Sequence, residues 1–188
     1  MAKGETARAR TSSAIIDSAA TILAERGDAA SMDDIAAAAG IGRATLYRYF
    51  ASRDELLNAM GAASVQELAA RIEQAHLDAV PVDEGIARLV RAILATGHKY
   101  VAMNADSARY SAAYPDFDTR VTEPMRALFR RGIAEGSLRS DLPFELQIDL
   151  LSGLVKAALD GTTSGRSGVE ETAAAVASVF LEGAGATR

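Results

Sequence analysis

The sequence predicts an all-α protein, with an N-terminal three-helix head carrying a helix-turn-helix on a larger helical body, about nine helices in all. Three observations predict it. Apolar residues recur at i, i+3 and i+4 through most of the 188 residues. Capping signatures and glycines fall where those stripes begin and end. Residues 31–50, SMDDIAAAAGIGRATLYRYF, read as two short helices folded about a glycine turn.

Residues 1–10 (MAKGETARAR) lack apolar periodicity and are expected to be an unstructured basic tail, able to lie along phosphates. The first helix is expected over 11–26, with Ile15, Ala19 and Leu23 on one face, Thr11 or Ser12 as its cap and Gly27 as its stop. In the motif, Ser31 caps the second helix and Asp34 stands as the acidic member of a capping box. Gly40 can take the positive φ that ends it. Ile35, Ala39, Ile41, Leu46 and Phe50 share the buried side, which leaves Arg43, Thr45, Tyr47 and Arg48 outward. A helix presented in this way can enter a major groove. Arg43, at the start of that helix, can reach guanine O6/N7 or the backbone, and Arg48 and Arg53 suit phosphates.

These residues carry a resemblance. Ile35-Ala36-x-x-Ala39-Gly40-Ile41, then Thr45-Leu46-Tyr47 and Tyr49-Phe50, then Ser52-Arg53-Asp54-Glu55-Leu56, are similar to the signature of the TetR family of one-component transcriptional regulators, over about residues 11–60. The resemblance implies a homodimer whose head binds a pseudo-palindromic double-stranded DNA operator and whose body takes a small-molecule effector, most simply as a repressor. It also implies that Thr45, Tyr47 and Tyr49 touch DNA. Gly40-Ile41-Gly42 opening a helix is not a dinucleotide fingerprint, because the third glycine is Thr45 and no strand precedes it.

Ser52 to Glu55 forms a second capping box, starting a long helix over about 53–77 that links head and body; the domains are expected at 1–53 and 54–188. Helix 83–104 carries Ile86, Leu89, Val90, Ile93, Leu94, Tyr100 and Val101 on one face. A short helix over 105–115 and a helix from Phe117 to about 135, kinked or restarted at Pro124, follow. An effector pocket is expected between these helices, walled by Leu94, Tyr100, Met103, Asn104, Tyr110, Phe117, Met125 and Phe129, on periodicity and side-chain type. Helix 144–161 has two apolar stripes: Phe144, Ile148, Leu151, Val155 and Leu159 on one, Leu146, Leu150, Leu154 and Ala157 on the other. Two stripes need two things to pack against. The second stripe, with Val176 and Phe180 of the last helix, is the expected dimer interface, a four-helix contact about a twofold axis.

Composition sets the outer limits. With 49% hydrophobic and 24% charged residues the chain can bury a sizeable core. It has no cysteine, so disulfides and thiolate metal sites are excluded, and no metal or cofactor is expected. The start lacks the apolar core of a signal peptide, and no apolar run approaches a membrane span, so a cytoplasmic protein is expected. The net charge is −5, divided as +1 over residues 1–53 and −6 over the rest. An acidic total excludes a general nucleic-acid coat but leaves room for a small groove-reading head. Two histidines, His76 and His98, and no nucleophile, zinc or P-loop motif argue against an enzyme. The rival reading is a helical small-molecule-binding or scaffolding protein in which the face from Arg43 to Arg53 is idle.

Overall fold

The computed structural model describes residues 2–99, 114–163 and 168–184. Among them are eight α-helices and no strand: α1 Ala2–Arg26, α2 Met32–Ala38, α3 Arg43–Tyr49, α4 Arg53–Ala75, α5 Val82–Lys99, α6 Glu123–Ala134, α7 Phe144–Thr163 and α8 Val169–Ala184. No described helix is long and apolar enough to cross a membrane. The expected helix over 105–115 lies outside the described residues apart from its last two positions.

Two compact units are formed, one mainly of residues 1–64 and the other mainly of 65–98 and 105–188. Their division falls inside α4, between Ser64 and Val65, and not at its start, where the sequence put the boundary. The reason is packing: Leu56 and Met60, in the first turns of α4, are buried with the head's core of Ile15, Ala19, Leu23, Ile35, Leu46 and Phe50. A three-helix head has too little interior of its own, and the next helix supplies the missing side.

The first helix departs from expectation. It begins at Ala2, so residues 2–10 extend it by more than two turns. These residues are rich in alanine, arginine, lysine and glutamate, which favour helix without making an apolar face. Thr11, expected as a cap, is interior instead, its hydroxyl donating to the Ala7 carbonyl at 3.1 Å. At α4 the capping box is shifted by one residue. Ser52 Oγ accepts from the Glu55 N–H at 3.1 Å, while the Glu55 carboxylate accepts from Ala51 N–H at 2.8 Å.

In the body, Ile86, Leu89, Val90 and Leu94 of α5 pack with Leu128 and Phe129 of α6, Leu151 and Val155 of α7, and Ala173, Val176 and Phe180 of α8. A π-helical stretch at Asp118–Thr122 runs without a break into α6, and Pro124 sits in the first turn of that helix, so regular α-helical hydrogen bonding begins only there. Gly132 permits a close approach on α6: a Cβ there would lie 2.7 Å from Leu138 Cδ1 and 2.9 Å from Val82 Cγ1. One residue earlier, Arg131 spans the α4–α5 connection. Its Nη1 donates to the Asp78 carbonyl at 2.7 Å, and its Nη2 to the carbonyls of Leu77 at 2.9 Å and Val80 at 2.7 Å. Gln147 does similar work for the loop before α7, donating from Nε2 to the carbonyls of Arg139 at 2.8 Å and Leu142 at 3.2 Å.

Candidate nucleic-acid interface

The corner between α2 and α3 is fixed by local chemistry at each step. Ser31 Oγ accepts from the Asp34 N–H at 3.1 Å, and Asp34 Oδ2 accepts from the Ser31 N–H at 2.9 Å, completing the capping box. Arg26 adds an ion pair to Asp34 at 2.8 Å. At the far end of α2, Gly40 adopts φ +66°, and the N–H groups of Gly40 and Ile41 return to the carbonyls of Ala37 and Ala36 at 3.1 and 3.0 Å. That pair of bonds is a Schellman close, and it needs a residue without a Cβ at the turn. Gly42 then caps α3.

The Ser31 hydrogen bonds, with Arg26 beside them, hold the Asp34 carboxyl below its ordinary value of 3.8. A lowered value means that the folded state binds the proton less well than the unfolded one. The stability this carboxylate contributes is therefore full above 3.8 and is lost as pH falls through the lower folded value. In thermal melts, the gap between wild type and Asp34→Asn should be constant at neutral pH and close in acid; a gap that persists at the lowest pH would show that the charge is irrelevant.

The six expected DNA contacts divide into groups. Leu46 is buried, and Arg43, Tyr47 and Arg48 are exposed on the opposite side of α3, with Thr45 and Tyr49 half-buried at its flanks. The Arg43 guanidinium lies 5.5 Å from the Tyr47 ring centre, and its Nη1 donates to Asp33 Oδ2 at 2.9 Å. The Tyr49 ring is flanked by Arg48 at 5.8 Å and by Arg8 at 5.7 Å. These last three residues, with Ala7 and Thr11, line a recess of about 260 Å³ between α1 and α3. Sequence reasoning left Arg8 in a tail; only the extension of α1 brings it to the recognition helix. Arg53 is placed differently. Its guanidinium donates to the Ala30 carbonyl and stands 4.0 Å from Asp28, so it braces the head from α4.

The body residues also sort themselves. Of the expected pocket wall, Leu94, Phe117 and Phe129 are buried in the packed core and Met125 packs against it. Tyr100, Met103, Asn104 and Tyr110 lie outside the described residues. A groove of about 750 Å³ opens elsewhere, along α4 and α6, with Ala69, Ile72, Pro124, Ala127 and Leu128 as its apolar lining and Glu73, His76, Asp78 and Arg120 among its polar groups. Among the expected interface residues, Leu146, Leu150 and Ala157 are exposed and Leu154 is half-buried. Val176 and Phe180 must be withdrawn from that surface, because both are buried in the protomer's own core, Phe180 with its ring 5.7 Å from that of Phe129. On α8 the exposed large apolar residue is Val179.

The chain is similar to known proteins over this corner and beyond it. Residues 15–60 match the bacterial regulatory proteins of the tetR family. The HTH-type transcriptional repressor LfrR of Mycolicibacterium smegmatis is 46% identical over 92 residues, 48% of this chain and 48% of that protein, so the chain spans about half the length of this relative. The HTH-type transcriptional repressor KstR2 of Rhodococcus jostii is 28% identical over 147 residues, 73% of this chain and 72% of the relative. Among solved structures, the TetR-like transcriptional regulator LfrR from Mycobacterium smegmatis in complex with proflavine superposes with a TM-score of 0.76 and 27% identity, covering 94% of this chain and 97% of that one. With the matched segment spanning α2, α3 and the corner between them, the head carries the tetR-family pattern of bacterial regulatory proteins, and the chain as a whole is similar in fold to TetR-like regulators.

Proposed function

We propose that the protein is a homodimeric transcriptional repressor that binds a pseudo-palindromic operator and is released from it by a small amphipathic effector. The observation that carries the reading is the outward face of α3. Three arginines and two tyrosines gather there over a buried Leu46, an arrangement a solvated surface does not require. Cations and phenols on one face supply phosphate contacts and base-edge contacts together. The relatives named as repressors support the same role.

Two copies would place their recognition helices one turn of DNA apart, about 34 Å. The exposed stripe of Leu146, Leu150 and Ala157 on α7, with Val179 on α8, is the surface a second copy would cover. LfrR has been solved with proflavine, and the groove along α4 and α6 has the volume of a site for a molecule of drug-like size. A site walled by Leu94 and Phe129 would instead need the core to open. An effector acts only if it prefers one arrangement of the dimer, and α4, which runs unbroken from Arg53 to Ala75, is the element through which that preference would reach the head.

The test is direct. A labelled promoter fragment retained by the purified protein is titrated by fluorescence anisotropy. Tyr47→Ala should weaken binding by ~1 kcal/mol or more, as for a lost groove contact. Unchanged affinity would remove Tyr47 from the interface, and no retained fragment at all would favour a helical binding protein without DNA.

A further inference from the structure

Arg43 is held at two points. Asp33, on α2, takes one N–H of its Nη1 at 2.9 Å, and the Tyr47 ring, one turn along α3, lies 5.5 Å from the guanidinium. Both members of the ion pair are more than half exposed, at 65% and 59% of their side-chain surface, so the pair contributes little to folding. Its placement is what matters. It ties the first helix of the corner to the first residue of the recognition helix, on the side that faces out.

Charge decides what such a couple can recognise. Phosphate binding is driven by the release of counterions from DNA by uncompensated cations. Arg43 paired with Asp33 is neutral as a unit and gains little there, and the Asp33 carboxylate repels a phosphate brought to the same spot. A base edge imposes no such penalty. The Nε and Nη2 edge of Arg43 has no partner among the described residues. Two parallel N–H donors held in a fixed plane match the O6 and N7 acceptors of guanine in the major groove. We infer that Asp33 is a positioning residue for sequence readout: it orients Arg43 so that the free edge of the guanidinium reads one guanine in each half-site. The inference rests on the DNA-binding reading above.

The full-length protein is used to select from duplexes carrying a randomised segment, and the enriched sequences are compared between variants. Wild type should enrich a two-fold motif with one strongly preferred guanine per half. Asp33→Ala should lower the preference at that guanine roughly tenfold while the other positions hold. Asp33→Asn, which can still accept a hydrogen bond, should fall between. Arg43→Ala should lose the same preference, and adding Asp33→Ala to it should change nothing further, a coupling that a merely structural residue would not show. The melting temperature of Asp33→Ala should move by no more than about 3 °C, as for an exposed first-turn aspartate. An unchanged guanine preference in Asp33→Ala would overturn the inference. So would a uniform tightening on all sequences, which would make Asp33 only a counter-charge. If wild type itself enriches no motif, the DNA-binding reading fails first and takes this one with it.

Discussion

Phe129→Ala is expected to cost the folded protein about 3–5 kcal/mol. The ring is fully buried, tilted against Phe180 at 5.7 Å and edge-on to Phe144 at 6.5 Å, so its removal takes contacts from α6, α7 and α8 at once. At about 2–4 °C per kcal/mol for a chain of this size, the melting temperature should fall by ~6–20 °C. The same measurement separates two roles for this residue. As a lid or wall of an open cavity, Phe129 would have few atoms around it, and truncation would cost less than about 1 kcal/mol. A large drop in a circular-dichroism melt places it in the core; a small one restores it to a pocket.

Leu150→Glu is expected to leave the protomer folded and to break the proposed dimer. The side chain is 50% exposed in a single chain, where a polar substitution changes stability by about 0.5 kcal/mol at most. Across a twofold contact each copy would bury a carboxylate without a partner. At roughly 3 kcal/mol or more, the dimer dissociation constant should rise by ~100-fold or more. Affinity for the operator should fall with it, since each half-site is then bound alone. Sedimentation velocity reads the assembly directly, and a dimer that survives the substitution would move the interface off α7.

The parts of the fold legible in the sequence are those written in neighbouring residues. Ser31 with Asp34, Gly40 at the turn, and Leu46 with Phe50 each act within a few positions of one another, so the corner and the outward set of Arg43, Tyr47 and Arg48 could be read before any coordinates existed. What was missed depends on long side chains meeting distant backbone or distant rings. Arg53 suits a phosphate by residue type, and its acceptor within the head, the Ala30 carbonyl, is not legible because it lies in another element. Arg8 reads as tail because the first ten residues of its helix carry no apolar stripe to announce them. Apolar spacing showed that Leu94 and Phe129 are interior, and it does not distinguish a packed interior from a hollow one. On α8 the abundance of alanine blurred the stripes, so Val176 and Phe180, which face inward, were grouped with the surface on which Val179 lies.

The clasp of Arg131 on three carbonyls bears on how this chain can drift. A lysine there would keep the charge, but a single ammonium cannot reproduce the planar fork that serves Leu77, Asp78 and Val80 together. At least one of those carbonyls would lose its donor. The substitution usually counted as the mildest is therefore costly at this position, because the part-buried carbonyls of Leu77 and Val80 share one Nη2.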